Sequence, residues 1–312
     1  MTETRQSFDL VVRAPAKINL SLEVLGERPD GYHEIRSVMQ AVSLCDELRF
    51  RRRADDRLEL KCSHPCVPSG PENLVVRAGR LIQSELDVQR GADVELEKRI
   101  PPGGGLGGGS SDGAVALMAF RDLWGAEVPP ARLTEFAAEL GSDVPFFLNG
   151  GTALCEGRGE RVSSVPFEGR LFYVVVTPEV EVSTAAVYRS ARTGLTSSVG
   201  ASDNVLKALR GADMGLLARA LRNDLQPVAL TAYEELDVLR RKLEEVSDTC
   251  QIERVLLSGS GSSFFALTGG KEESTKAAEV IADRLAIPCT VVHNLPAWNG
   301  RLSMLTTWRT HC

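Results

Sequence analysis

A chain of 312 residues, 43% of them hydrophobic and 25% charged, has the make-up of a globular protein long enough for two domains. Its net charge of −6 argues against nucleic acid or an anionic membrane as partner. Seven cysteines at scattered spacings and only four histidines leave little for a disulfide framework, a zinc cage or a histidine triad, and they point to a reducing, cytoplasmic setting. No signal-peptide core and no apolar stretch of membrane-spanning length is present.

In chain order, strands are expected at 9–13, 18–25, 35–44, 47–53, 57–61 and 93–100. The basic run "RFRRRADDR" at 49–57 reads as a solvated strand edge. Asn73 caps a helix over 74–86 that carries Leu74, Ala78, Leu81 and Ile82 on one face. "SSDGAVALMAFRDLW", 110–124, is apolar on nearly every side to Phe120, as in a buried helix, with a Ser or Asp N-cap. A second helix, 131–140, ends at Gly141. From Arg170 the pattern restarts. "LFYVVV" is a strand, 203–246 is mostly helical, and "RVLLSG" and "SSFFALTG" pair across a glycine-serine turn. A helix over 271–285 and a strand in "CTVVHNL" complete the β-α-β-β-α-β order of a ferredoxin-like split fold. The boundary is expected near Pro166, giving domains at 1–166 and 167–295 and an unpatterned tail at 296–312.

The run Pro101, Pro102, Gly103, Gly104, Gly105, Leu106, Gly107, Gly108, Gly109, Ser110 and Ser111 lies between a strand and a buried helix, which is no place for a linker. Backbone N–H groups bared by glycine at a helix N-terminus make a phosphate cradle, and the serines add hydroxyls for phosphate oxygens or a magnesium ion. A Walker A loop would need a lysine after the glycines, and none follows. Gly103, Gly105 and Gly108 satisfy G-x-G-x-x-G, but a dinucleotide fold needs a strand after the helix, where a second helix follows instead.

"PPGGGLGGGSSDGA" resembles the phosphate loop of the GHMP small-molecule kinases. Matching pieces come in order: "APAKINLSLEV" at 14–24, "RPDGYHEI" at 28–35, "ENLVVRAGRL" at 72–81, "GSDVPFF" at 141–147, "EGRGE" at 156–160, "ND" at 223–224 and "SGSGSSFFA" at 258–266. The resemblance implies an α+β, two-domain GHMP kinase fold, with an N-terminal ribosomal-protein-S5-domain-2-like nucleotide-binding domain and a C-terminal ferredoxin-like domain. It implies ATP with Mg2+, a small-molecule acceptor, and a monomer or weak homodimer. The implied acceptor is a cytidine diphosphate methylerythritol, phosphorylated on its 2-hydroxyl. Lys17 and Asp143 match the catalytic pair, and Asn19, on the same strand face as Lys17, is placed at the substrate. Asn73 and Lys98 match contacts near the purine, while Tyr32, His33, Thr184 and Tyr188 match positions around the cytidine head. Read locally, Asp143 also suits a helix N-cap, Lys17 a solvated strand lysine, Asn73 a cap and Lys98 a strand-end surface residue. Glu179 and Glu181 stand where the family has small or neutral residues, and Pro102 removes an N–H donor at the loop entrance.

Overall fold

The computed structural model describes residues 7–87, 89–191 and 200–306. Its N-terminal half opens with two long strands, β1 (Leu10–Glu27) and β2 (His33–Arg53), paired antiparallel. Each runs through a point where the sequence suggests a break. Pro15 sits inside β1 where the register skips Ser43 and Leu44 of β2, so the four strands expected over 9–53 are two. A bulge absorbs a proline and an irregular register without ending the strand. A second register shift, between Asn19 and Ser21, lies further along β1.

β3 (Leu58–Cys62), α1 (Leu74–Leu86), β4 (Gly91–Glu97), α2 (Gly108–Trp124), α3 (Pro130–Leu140) and α4 (Val144–Asn149) follow, then the hairpin of β5 (Thr152–Gly157) and β6 (Arg161–Ser164). β4 and β5 share the edge of β2 that β1 leaves open, β4 at residues 47–53 and β5 at residues 35–40. α1 starts where its cap predicts, with the Asn73 side chain accepting from the Val75 N–H. α2 is buried from Ser111 through Phe120, as its composition demands. Its N-cap is neither Ser nor Asp. Gly107 fills that position with φ of 70°, so the last glycines of the run already form the first helical turn.

The C-terminal half contains β7 (Phe172–Val176), α5 (Thr184–Ala191), α6 (Ala201–Gly211), α7 (Met214–Ala220), β8 (Arg222–Asn223), α8 (Leu225–Ala232), α9 (Glu234–Cys250), β9 (Ile252–Leu257), β10 (Phe264–Thr268), α10 (Lys271–Leu285) and β11 (Cys289–His293). Its antiparallel sheet has the order β11-β7-β10-β9, that of the expected split fold. β8 crosses back to pair parallel with β1 at Ser21 and Leu22. Ile18 and Leu20 of β1 share a core cluster with Tyr173 and Phe265 of the second sheet. β1 is thus covered on both faces from Ala14 to Val24, which is why "APAKINLSLEV" shows no clean polar alternation.

Residues 296–306, the described part of the unpatterned tail, pack onto the N-terminal core. Trp298 is fully buried and its indole N–H donates to the Phe147 carbonyl at 2.9 Å. α11 (Leu302–Thr306) then adds Leu302 and Leu305 to the N-terminal core. One buried tryptophan and a single helical turn leave no periodic trace for sequence reasoning to find. The last six residues, 307–312, lie outside the described part.

Candidate active site

Both halves meet around a cleft of about 900 Å³. Its floor is the glycine loop. Gly103, Gly105 and Gly107 have φ of 73°, 74° and 70°, a left-handed conformation that side chains disfavour. Close packing adds a second demand. A Cβ on Gly105 would lie 2.1 Å from the Ser258 carbonyl oxygen, and one on Gly107 would lie 2.9 Å from the Phe147 ring. Cβ atoms on Gly103 and Gly109 would meet only open space. The run is therefore bare for two reasons: part of it is pressed against the protein, and part faces the cleft. No side chain caps the first turn of α2 and no acidic residue sits in it, so its N–H groups and dipole are available to an anion.

The loop is stitched to both halves. The Leu106 carbonyl accepts from the Lys17 N–H at 2.9 Å. Gly104 and Gly105 offer their carbonyls to the Ser263 N–H at 3.1 Å and the Ser258 hydroxyl at 3.0 Å. The turn between β9 and β10 is held in its own right by Asn223, whose amide donates to the carbonyls of Leu257 and Gly259 at 2.8 and 2.6 Å.

Lys17 and Asp143 come together beside this floor, with 3.8 Å between Nζ and Oδ2. Lys17 is buried, and loss of water lowers its pKa from the ordinary lysine value against the raising pull of Asp143. Its ammonium donates to Asn19 Oδ1 at 2.6 Å, and the Asn19 amide donates to Ser37 Oγ at 2.8 Å. Asn19 is only 1% exposed, so it orients the lysine as well as lining the cleft. Asp143 begins α4 but makes no side-chain cap bond, which removes the capping account of this residue. Nor is Gly141 a left-handed helix terminator, since its φ of 170° is extended backbone. The Asp143 carboxylate remains 31% exposed, open to the cleft.

At the other end, Tyr32 stands half-exposed in the turn between β1 and β2, where its N–H donates to Asp30 Oδ1 at 3.1 Å. The His33 ring lies 5.2 Å from that of Tyr188, tilted by 43°. Burial pushes the Tyr188 phenol above its ordinary value, with Asp143 adding to the effect. Thr184 shares a 2.8 Å hydrogen bond with Ser260 Oγ, tying α5 to the β9–β10 turn. All four residues line the cleft, as do Pro101 through Ser110.

Three expected contacts are not in the lining. Asn73 spends its side chain on the α1 cap and on the Pro68 carbonyl at 2.7 Å. Lys98 is buried between Asp46 and Asp112, its ammonium 2.8 Å from Asp112 Oδ2. Ser111 is fully buried in α2. Glu179 and Glu181 are exposed and outside the lining. In exchange the cleft includes Leu22, Arg158 and Arg189, which the sequence reading did not single out. Leu22 enters because the register shift at Asn19/Ser21 re-aims β1. "EGRGE" carried the signal for Arg158, whereas Arg189 had none beyond its neighbour Tyr188.

The model of the GHMP kinases N terminal domain matches residues 73–151, and that of the GHMP kinases C terminal domain matches residues 205–289. The chain belongs to the GHMP kinase family. Among GHMP kinases it is 43% identical over 265 residues to the 4-diphosphocytidyl-2-C-methyl-D-erythritol kinase of Pelotomaculum thermopropionicum, covering 85% of this chain and 91% of that one. It is 41% identical over 276 residues to the enzyme of that name from Ralstonia nicotianae, covering 87% and 88%. A crystal structure of 4-(cytidine 5'-diphospho)-2C-methyl-D-erythritol kinase superposes with a TM-score of 0.75 at 34% identity, over 91% of this chain and 99% of that one. Homoserine kinase from Cytophaga hutchinsonii superposes with a TM-score of 0.74 at 20% identity, over 96% and 99%, a likeness of fold. The two-domain α+β GHMP kinase fold expected from the motifs is the fold observed.

Proposed function

We propose that this GHMP kinase transfers the γ-phosphoryl group of ATP to the 2-hydroxyl of 4-diphosphocytidyl-2-C-methyl-D-erythritol, as a step in isoprenoid precursor synthesis in the cytoplasm. The observation that carries the reading is the Lys17–Asp143 pair, set in one cleft between a glycine-bared helix N-terminus and an aromatic corner built from Tyr32, His33 and Tyr188. Phosphoryl transfer asks a protein mainly to align a hydroxyl and to stabilise charge on the transferred group. Asp143 takes the proton from the attacking hydroxyl. Lys17, oriented by Asn19, polarises that oxygen. The loop N–H groups stabilise the phosphoryl oxygens. Tyr32 and Tyr188 hold the base by its faces, and His33 reads its edge.

Among the described residues no cluster of three His, Cys, Asp or Glu side chains forms a metal cage. Magnesium is usually held through one or two protein ligands and substrate phosphates. The Ser110 hydroxyl, half-buried in the cleft lining, would hold it together with the substrate phosphates, whose charge it would neutralise. No helix among the described residues is long and apolar enough to cross a membrane. The chain acts as a monomer or weak homodimer in this reading.

An ATP-consumption assay over the cytidylyl methylerythritol, homoserine, mevalonate and galactose tests the assignment. Turnover with only one of the last three overturns it. In the same assay Asp143→Asn lowers kcat by about 10²–10⁴, with binding of a non-hydrolysable ATP analogue nearly unchanged. Near-native kcat in that variant would remove Asp143 from the chemistry.

A further inference from the structure

The motif "EGRGE" forms the turn between β5 and β6, and the chemistry above leaves its arginine without a task. Gly157 and Gly159, with φ of 75° and 116°, hold Arg158 between two left-handed residues. Its N–H donates to Glu160 Oε2 at 2.7 Å, and its Nη2 donates to the Ala138 carbonyl in the last turn of α3 at 2.9 Å. The guanidinium carbon then lies 5.0 Å from the centre of the Tyr32 ring. Tyr32 is 50% exposed, and the guanidinium of Arg158 is the group set over its ring. On its other side the turn abuts the catalytic loop. A Cβ on Gly159 would lie 3.4 Å from the Ser142 carbonyl oxygen and 3.5 Å from Asp143 Oδ1.

We propose that Arg158 is a positioning residue for the acceptor: it fixes the orientation of Tyr32, and its turn ties that platform to the loop bearing Asp143. The base end and the hydroxyl end of one acceptor are thereby held at a set separation. This rests on the reading of Tyr32 as a base platform. An arginine suits the task because its planar group stacks on a ring face while its remaining N–H groups stay bonded to a carbonyl, which a lysine cannot reproduce.

Steady-state kinetics with ATP and the cytidylyl methylerythritol on Tyr32→Ala, Arg158→Met and the double variant test it, with a thermal melt of each. Tyr32→Ala alone tests the platform, and an unchanged acceptor KM in that variant overturns both readings. With the platform upheld, Arg158→Met raises the acceptor KM by about 2- to 30-fold, the range of one cation–aromatic contact. It leaves kcat and the KM for ATP within about twofold of the parent value, and the double variant is no worse than Tyr32→Ala. If Arg158→Met is as harmful in the Tyr32→Ala background as in the parent, the guanidinium acts on the acceptor directly and the positioning role falls. If it moves both KM values and the melting temperature together, Arg158 is a brace of the hairpin and the role falls as well.

Discussion

Each glycine of the loop has its own reason to be glycine, and the reasons separate experimentally. Gly107 combines a left-handed φ with Phe147 and Lys17 at its back, so a side chain there strains the backbone and the packing together. Gly109 is helical and faces open space, and alanine is worth about 0.5–1 kcal/mol more than glycine in a helix. Gly109→Ala should therefore melt at or above the parent temperature, yet bind a non-hydrolysable ATP analogue at least about tenfold more weakly, the cost of one lost close phosphate contact. Gly107→Ala should lose stability and binding together. Calorimetric titration beside thermal melts reads both. Undiminished affinity in Gly109→Ala would mean that no phosphate approaches that backbone.

At the scale of elements, α2 and the loop before it rest on a buried cluster. Asp46 accepts from the N–H groups of Arg99 and Ile100 at 2.6 and 2.8 Å, and Lys98 bridges Asp46 to Asp112 in the first turns of α2. This strut fixes where the strand end enters the glycine loop, which is the use the fold makes of a lysine expected at the purine. Burial works against the Lys98 charge, but Asp112 and Asp46 outweigh it and its pKa rises. Burial pushes Asp112 well above the usual carboxylate range, although Lys98 pulls the other way, and its Oδ1 has no hydrogen-bond partner. The folded chain thus retains a proton that the unfolded chain releases. Stability from this group is complete below the ordinary carboxylate pKa and declines as pH rises toward the raised value. Asp112→Asn keeps the shape without the titration, so it should melt a few degrees above the parent at pH 8 and level with it near pH 4. A variant less stable than the parent at pH 8 would show that a charged Asp112 supports α2.

For the whole molecule, the two halves are less separable than a boundary near Pro166 suggests. β8 pairs with β1, and the chain returns after β11 to bury Trp298 against α4. A Cβ on Gly150 would lie 2.2 Å from that indole, so the wall is built around the tryptophan. The same residue supports Phe147, which backs Gly107 in the loop. Trp298→Ala should cost about 3–5 kcal/mol in urea unfolding, as large aromatic truncations in cores do. A loss under about 1 kcal/mol would show that the C-terminal return is dispensable.

The sequence by itself determined what depends on neighbours a few residues apart. The α1 cap at Asn73, the buried run of α2, the span of α10 and the order of the second sheet follow from capping chemistry and periodicity. The combination of "PAKINL", "DGYH", the glycine run and "GSDVP" likewise marked the family, because each motif is a local solution to a chemical task. Tertiary structure decided everything that needs a distant partner. Local sequence left Asp143 between a helix cap and a base, and tertiary structure set its carboxylate, which makes no cap bond, 3.8 Å from the Lys17 ammonium of β1 in the cleft. It also drew Lys98 beneath the loop, because two carboxylates from β2 and α2 wait there. Arg158 found Tyr32 through a hairpin turn, and Trp298 found α4 through a fold-back with no repeating pattern. Such pairings are set by chain topology and by the need to partner buried charge and fill the core, and neither constraint is written in a window of adjacent residues.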